Sequence, residues 1–229
     1  MKRMLRSLFV TGFAGLTLAA CGTPLATPQY PGEPLVTLRG TVSSERTEPL
    51  PSTNVELVWL VPRPGADLIV AESVPVEGQF PSHFKLSLHT PPDEGSLAQT
   101  PYGPLGMAYI GVFDETTQRF VGAAEEYVLA YLPAPVEAGS VFSQFLDKGG
   151  GARALSAGYH LIHAEPPTEA EYRAYQDCLA HAATPAERKA CFDQYDLYDT
   201  LTVADDDLTT SLQVRIPNDP SKLRLPNFT

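Results

Sequence analysis

Cysteine, histidine and clustered aspartate are the residues of this chain whose spacing could do chemistry. The cysteines are Cys21, Cys178 and Cys191. Cys21 stands apart, directly after an apolar N-terminal run. Cys178 and Cys191 are then the two remaining thiols, to be joined in a disulfide or held free in a core. No C-x-x-C occurs and no histidine sits at ligand spacing from a cysteine on an evident shared face, so a thiolate metal site is not expected. His160 and His163 are three apart, which on a strand puts them on opposite faces, one toward the core and one toward solvent. His83 and His89 are six apart and could share a face, but no third ligand accompanies them. Asp193, Asp196, Asp199 and the run Asp205, Asp206, Asp207 form the best cation candidate, since calcium takes six to eight oxygens from closely spaced carboxylates. The run lacks the glycine punctuation of a calcium loop, and a solvated acidic connection competes with that reading. Gly149-Gly150-Gly151 could cradle an anion as a backbone nest or serve as a flexible loop; no helix start or P-loop lysine follows. With no G-x-S-x-G, H-E-x-x-H, P-loop or dinucleotide fingerprint, the expectation is a non-enzymatic protein without a cofactor.

The elements that must position these residues are mostly strands. Val36, Leu38, Gly40 and Val42 alternate with Thr37, Arg39 and Thr41, the period of a half-buried strand. Asn54 to Val61 is apolar on both faces and reads as a central strand anchored by Trp59, the only tryptophan. Leu68 to Val76, Phe84 to Leu88, Gly106 to Phe113, Gly158 to Ala164 and Leu208 to Ile216 continue the pattern. Arg119 to Ala124 and Tyr127 to Leu132 read as one strand split by a bulge at Glu125-Glu126. Pro91 to Pro104 is a proline-rich loop, and Gly139 to Leu146 is an uncertain element. Many short strands with proline-rich connections indicate a mainly β fold, an antiparallel β-sandwich of immunoglobulin-like or transthyretin-like type. One segment departs from this texture. Thr168-Glu169-Ala170-Glu171 and Thr184-Pro185-Ala186-Glu187 are capping boxes that open helices at about 169–182 and 185–196. An antiparallel hairpin of these helices brings Cys178 and Cys191 to one level, and their disulfide would close a loop of about 14 residues, worth roughly 3 kcal/mol. Tyr172, Tyr175, Tyr195 and Tyr198 lie i, i+3 in pairs on this hairpin. They either pack onto the sandwich or form a contact surface for a partner or glycan.

Lys2, Arg3 and Arg6 precede an apolar stretch, Leu8 to Ala20, that is too short for a permanent span of a bilayer core about 30 Å thick. It ends in Leu18-Ala19-Ala20-Cys21, a lipobox, and in this the chain resembles bacterial lipoprotein precursors. The resemblance implies a diacylglyceryl thioether on Cys21, cleavage before it, and N-acylation of the new terminus by a chain such as palmitate. Together these chains anchor stably where one would be marginal. In that family an aspartate after the cysteine accompanies retention in the inner membrane. Here the position is Gly22, which implies the outer membrane. Residues 1–20 are thus read as a signal peptide and 21–34, rich in Pro, Gly and Thr, as a lipidated tether reaching roughly 40 Å when extended. Residues 35–217 are the β-sandwich with the hairpin inserted at 168–197, and 218–229 a C-terminal tail. Loss of Lys2, Arg3 and Arg6 takes the 16 basic residues to 13 against 27 acidic ones, and the net charge from -11 to -14. Such a surface disfavours nucleic acid and direct docking on anionic head groups, which leaves anchoring to the lipid.

Gly78 to Leu88 carries the pattern G-x-x-P-x-x-F-x-L-x-L, and Gly40-Thr41-Val42, Leu50-Pro51 and Val55-Glu56-Leu57 precede it. Over residues 35–130 this is similar to small β-sandwich lipoproteins related to type III secretion pilotins and to transthyretin-like modules. No functional residue carries over from that likeness. The sequence therefore describes a lipid-anchored outer-membrane protein that presents a β-sandwich to an unknown envelope protein, or else a glycan- or calcium-binding module on the same anchor.

Overall fold

Runs in which every second residue is apolar become strands here because alternation buries one face and leaves the other to water or to a second layer. The computed structural model describes residues 32–47, 50, 52–60, 69–76, 79–165, 167–195, 201–204, 208, 210–219 and 222–223. The leader 1–20, Cys21, most of the tether, Asp196, Tyr198, Asp199, Asp205, Asp206, Asp207 and most of the tail lie outside these residues, as do the side chains of Asp193 and Tyr195. From Glu33 onward the chain belongs to one unit. Its strands are β1 (Val36–Ser44), β2 (Thr53–Trp59), β3 (Ile69–Pro75), β4 (Ser82–Leu88), β5 (Leu97–Thr100), β6 (Gly103–Asp114), β7 (Arg119–Leu132), β8 (Gly158–Ala164), β9 (Leu201–Val203) and β10 (Ser211–Ile216). The helices are α1 (Val141–Leu146), α2 (Glu169–His181) and α3 (Pro185–Tyr195).

The protein is mainly β, with the sheet order β3-β2-β6-β7-β10-β1-β4. β1 and β10 run parallel, and the other pairings along this path are antiparallel. The sheet is therefore mixed, not wholly antiparallel as the sequence suggests. Alternation reports which face is buried and is blind to strand direction, so this pair was not readable from Val36–Val42 or Leu208–Ile216. The end strands β3 and β4 come against one another, which makes the curled sheet nearly barrel-shaped.

β6 and β7 are long enough to serve two sets of neighbours. Residues 108–114 of β6 pair with β2, and residues 103–106 pair with β5. In β7, Ala123 pairs with Arg215 of β10, whereas residues 127–132 pair with β8, which in turn carries β9. The change of partner falls at a bulge. Tyr109 faces Val128 but Gly111 faces Ala123, so residues 124–127, including Glu125-Glu126, stand opposite Ile110. Two cores result. The first holds Val55, Leu57 and Trp59 of β2 with Leu38, Leu86, Leu129, Leu161, Leu212 and Val214. The second holds Met107, Val128, Ala130, Ile162 and Val203 with Leu146 of α1 and Leu155. Neighbours Leu129 and Val128, and likewise Leu161 and Ile162, point into different cores, which is why these segments are apolar on both faces.

β1 sits close to both its partners. A Cβ on Gly40 would lie 2.3 Å from the Leu212 carbonyl oxygen and 2.6 Å from the Phe84 ring. The uncertain segment at 139–146 is a helix, α1, whose Ser140 side chain caps it by accepting from the Ser143 N–H. Beyond its end the triple-glycine loop closes over a buried carboxylate. Asp147 is fully buried; it accepts from Arg153 Nε at 3.0 Å, from the Arg153 N–H at 3.3 Å and from the Val203 N–H at 2.8 Å. A Cβ on Gly150 would strike its oxygen at 2.1 Å. Gly149 N–H bonds the Leu201 carbonyl, and the Arg153 Nη2 bonds that of Val203 at 2.6 Å. The loop thus closes around an anion of its own chain. Burial alone would raise the Asp147 pKa, but these donors and the Arg153 charge hold it below the ordinary value.

A folded-state pKa below the unfolded one means that the stabilisation is complete above the ordinary carboxylate range and is lost as pH falls through the folded value. Asp147→Ala should therefore cost ~3 kcal/mol or more in urea unfolding near neutral pH, and its deficit against wild type should narrow on acidification. Gly40→Ala should destabilise by at least ~1–3 kcal/mol at either pH, because its clash with backbone does not titrate.

Candidate functional site

Where β3 and β4 meet without a ladder, their near ends leave a groove of about 280 Å³. Its walls come from four distant segments: Trp59 at the end of β2, Ile69–Glu72 at the start of β3, Ser87–Asp93 at and beyond the end of β4, and Tyr159 at the start of β8. Alternation puts Trp59 inward, and it is almost fully buried in the first core. Tyr159 stacks on it at 6.4 Å and meets Tyr131 edge-on at 5.0 Å. The Tyr159 hydroxyl donates to the Thr90 carbonyl at 2.8 Å and so ties the Pro91-Pro92 loop to the sheet. Burial, and secondarily Tyr131, push this phenol up to about 12, so it stays a neutral donor. Glu72, Asp93, Ser87 and His89 give the groove polar groups, and the buried Nδ1 of His89 has no hydrogen-bond partner. A second, open groove of about 720 Å³ runs on the other side of Pro92, past Leu97, Pro104, Pro133 and the Tyr131 ring. Chemically the two grooves offer π-faces for stacking and carboxylates for hydroxyl or cationic groups.

The histidines are separated by the fold. His160 Nε2 pairs with the Ser156 carbonyl at 2.7 Å, and His163 meets the Tyr127 ring edge-on at 5.2 Å. Both are half-buried, so neither is the core or the solvent residue that strand parity suggested. His83 is exposed and pairs with Thr41 Oγ1 at 3.2 Å, while His89 lies in the groove. Among the described residues no three His, Cys, Asp or Glu side chains group to hold a metal. The strongest candidate for one, Asp205, Asp206 and Asp207, is outside them. On the outer face of β2, burial raises the Glu56 pKa, opposed by a hydrogen bond from Ser73 and reinforced by Glu115.

The helical hairpin is as the capping boxes require. Thr168 N–H donates to Glu171 Oε2 at 2.8 Å and Glu171 N–H to Thr168 Oγ1 at 3.3 Å. Thr184 and Glu187 repeat the exchange at 2.8 and 3.2 Å. Cys178 and Cys191 are disulfide-bonded, with Cα atoms 5.8 Å apart. Tyr175 is buried against Cys191 in a cluster of hairpin residues that Tyr172, Cys178, Leu179 and Ala182 flank. Its ring is thus buried within the hairpin's own cluster. The cause is that a hairpin this small needs an apolar filler beside its disulfide. Tyr172 is half-buried in the same cluster.

Comparison of the chain with protein-family models, with curated proteins and with solved structures finds no match. The groove escaped the sequence because no short motif joins residues 59, 69, 89 and 159. The only signals were a tryptophan at a strand end and a Pro-Pro step after another. Reduction of the disulfide should remove roughly 3 kcal/mol from the hairpin and lower the helical circular dichroism. Trp59 emission should stay unchanged, because that residue is held by the separate sheet core.

Proposed function

We propose that this chain is a non-enzymatic, lipid-anchored protein of the outer membrane whose β domain binds an envelope protein. The observation that carries the reading is Leu18-Ala19-Ala20-Cys21, with a cationic start and an apolar run before it and a Pro/Gly/Thr tether after it. Acyl chains on Cys21 would supply membrane attachment that an acidic chain cannot obtain from head-group electrostatics. The same charge argues against nucleic acid as a partner. The opposed strands β3 and β4 support reading the curled sheet as a two-layer sandwich of transthyretin-like or immunoglobulin-like kind, in keeping with the pilotin-like pattern at Gly78 to Leu88. The groove beside Trp59 and Tyr159 is the surface we assign to recognition.

A second reading has one observation in its favour. Stacked aromatic rings next to Glu72, Asp93 and an unpartnered His89 nitrogen suit a glycan, whose apolar face stacks and whose hydroxyls bond carboxylates. Calcium at Asp205, Asp206 and Asp207 remains the weaker form of this reading. Cys21→Ser should release the protein from membranes into the soluble fraction; retention of that variant in high salt would contradict the anchor. In-cell crosslinking of the wild type should recover one dominant envelope protein through groove peptides. Crosslinks spread over no dominant partner, with glycan protection of the groove, would favour the second reading.

A further inference from the structure

The large apolar side chains exposed among the described residues are Leu35, Ile69, Val70, Tyr102, Val141 and Phe145, each 37–60% exposed. Their places in the sheet are not scattered. Leu35 directly precedes β1, Ile69 and Val70 begin β3, and Tyr102 lies in the turn that begins β6. Val141 and Phe145 are on α1, in the connection from the end of β7 to the start of β8. Following the ladders, the start of β1 is beside the end of β4, and the start of β3 beside the end of β2. The start of β6 lies in turn beside the ends of β2 and β7. All six therefore occupy one end of the sheet. Tyr102 joins the α1 rings directly, 6.1 Å from Phe142 and 6.0 Å from Phe145. The opposite end is polar. There the β6–β7 turn exposes Glu115, Thr116, Thr117 and Gln118, Asn54 donates to Glu115, and Arg215 pairs with Glu45 at 3.4 Å.

The apolar end is also the end at which the chain arrives from Cys21, because β1 begins there. We infer that this end is a bilayer-contacting face: Tyr102, Val141 and Phe145, with Leu35, insert into the membrane interface when Cys21 is anchored, while Ile69 and Val70, which wall the groove, lie at the edge of that face. The inference rests on the anchor reading above. A tether whose full reach is roughly 40 Å brings that end within reach of the interfacial region, and aromatic side chains favour that depth. The contact is apolar, since from Cys21 onward 13 basic residues against 27 acidic ones leave a net charge of -14 that offers anionic lipid nothing. It also orients the groove at β3 and β4 beside the bilayer, so its partner is approached at the membrane surface.

The test couples the chain from Cys21 onward, through that thiol, to a maleimide phospholipid in phosphatidylethanolamine/phosphatidylglycerol vesicles containing brominated lipid. Cys178 and Cys191 are occupied by their disulfide. In a Trp59→Phe background, Phe145→Trp should show a blue shift and loss of emission to bromine, unchanged at high salt. Thr117→Trp, at the polar end, should show neither. Equal quenching of both probes, or of neither, would overturn the inference. Should Trp59→Phe not fold, a photoactivatable lipid in the same vesicles reads the unsubstituted chain. Labelling of the Tyr102 and Val141–Phe145 peptides supports the face, and labelling only of the Glu115–Gln118 peptide overturns it. Because the coupling is chemical, membrane retention of Cys21→Ser in cells would sink the anchor reading without deciding this one.

Discussion

One long, bulged hairpin is shared by two hydrophobic cores, and the remaining architecture is arranged around that sharing. β6 and β7 alternate as any half-buried strands do, but past the bulge at residues 124–127 both faces of β7 are covered. Leu129 looks into the curled sheet, and Val128 and Ala130 look into the layer closed by α1, β8 and β9. A strand pair buried on both sides can change partners along its length without exposing an apolar face. That permits β10 to pair with one half of β7 and β8 with the other. Where β8 leaves the main sheet it carries Tyr159 over Trp59, and the groove exists because of that departure.

The second core is locked by charge as well as by packing. Asp147 is bound by donors from its own loop and from β9, so α1, the glycine loop and β9 are held at a single buried anion. Gly150 is required there because a Cβ at that position would strike the carboxylate. The arrangement keeps α1 fixed with Val141 and Phe145 outward, beside Tyr102. A surface placed at one end of the sheet, with polar turns at the other, gives the domain a polarity along its strands.

Much of this was legible in the sequence, and the reasons differ by element. Helices α2 and α3 were marked by Thr-x-x-Glu boxes that act locally, and the disulfide followed from the hairpin they define. Strands with clean alternation, such as Phe84–Leu88 and Gly158–Ala164, were legible because a face is a local property. β5 was hidden in Leu97–Thr100, four residues enclosed by prolines 91, 92, 101 and 104. β9 is three residues at the edge of an acidic run. Nothing in the local sequence marks Asp147, since burial of a charge depends on donors 6 and 56 residues away. The parallel β1–β10 pair and the four-segment groove are likewise long-range facts that no window on the chain contains.

The central claim is that an acyl anchor on Cys21 holds this domain with its apolar end toward the bilayer. The most direct measurement is the mass of the amino-terminal peptide of the chain purified from membranes. The account predicts a peptide that begins at Cys21 and carries a diacylglyceryl thioether together with an N-linked acyl chain. A peptide that retains residues before Cys21, or that begins there with a free thiol, would contradict it.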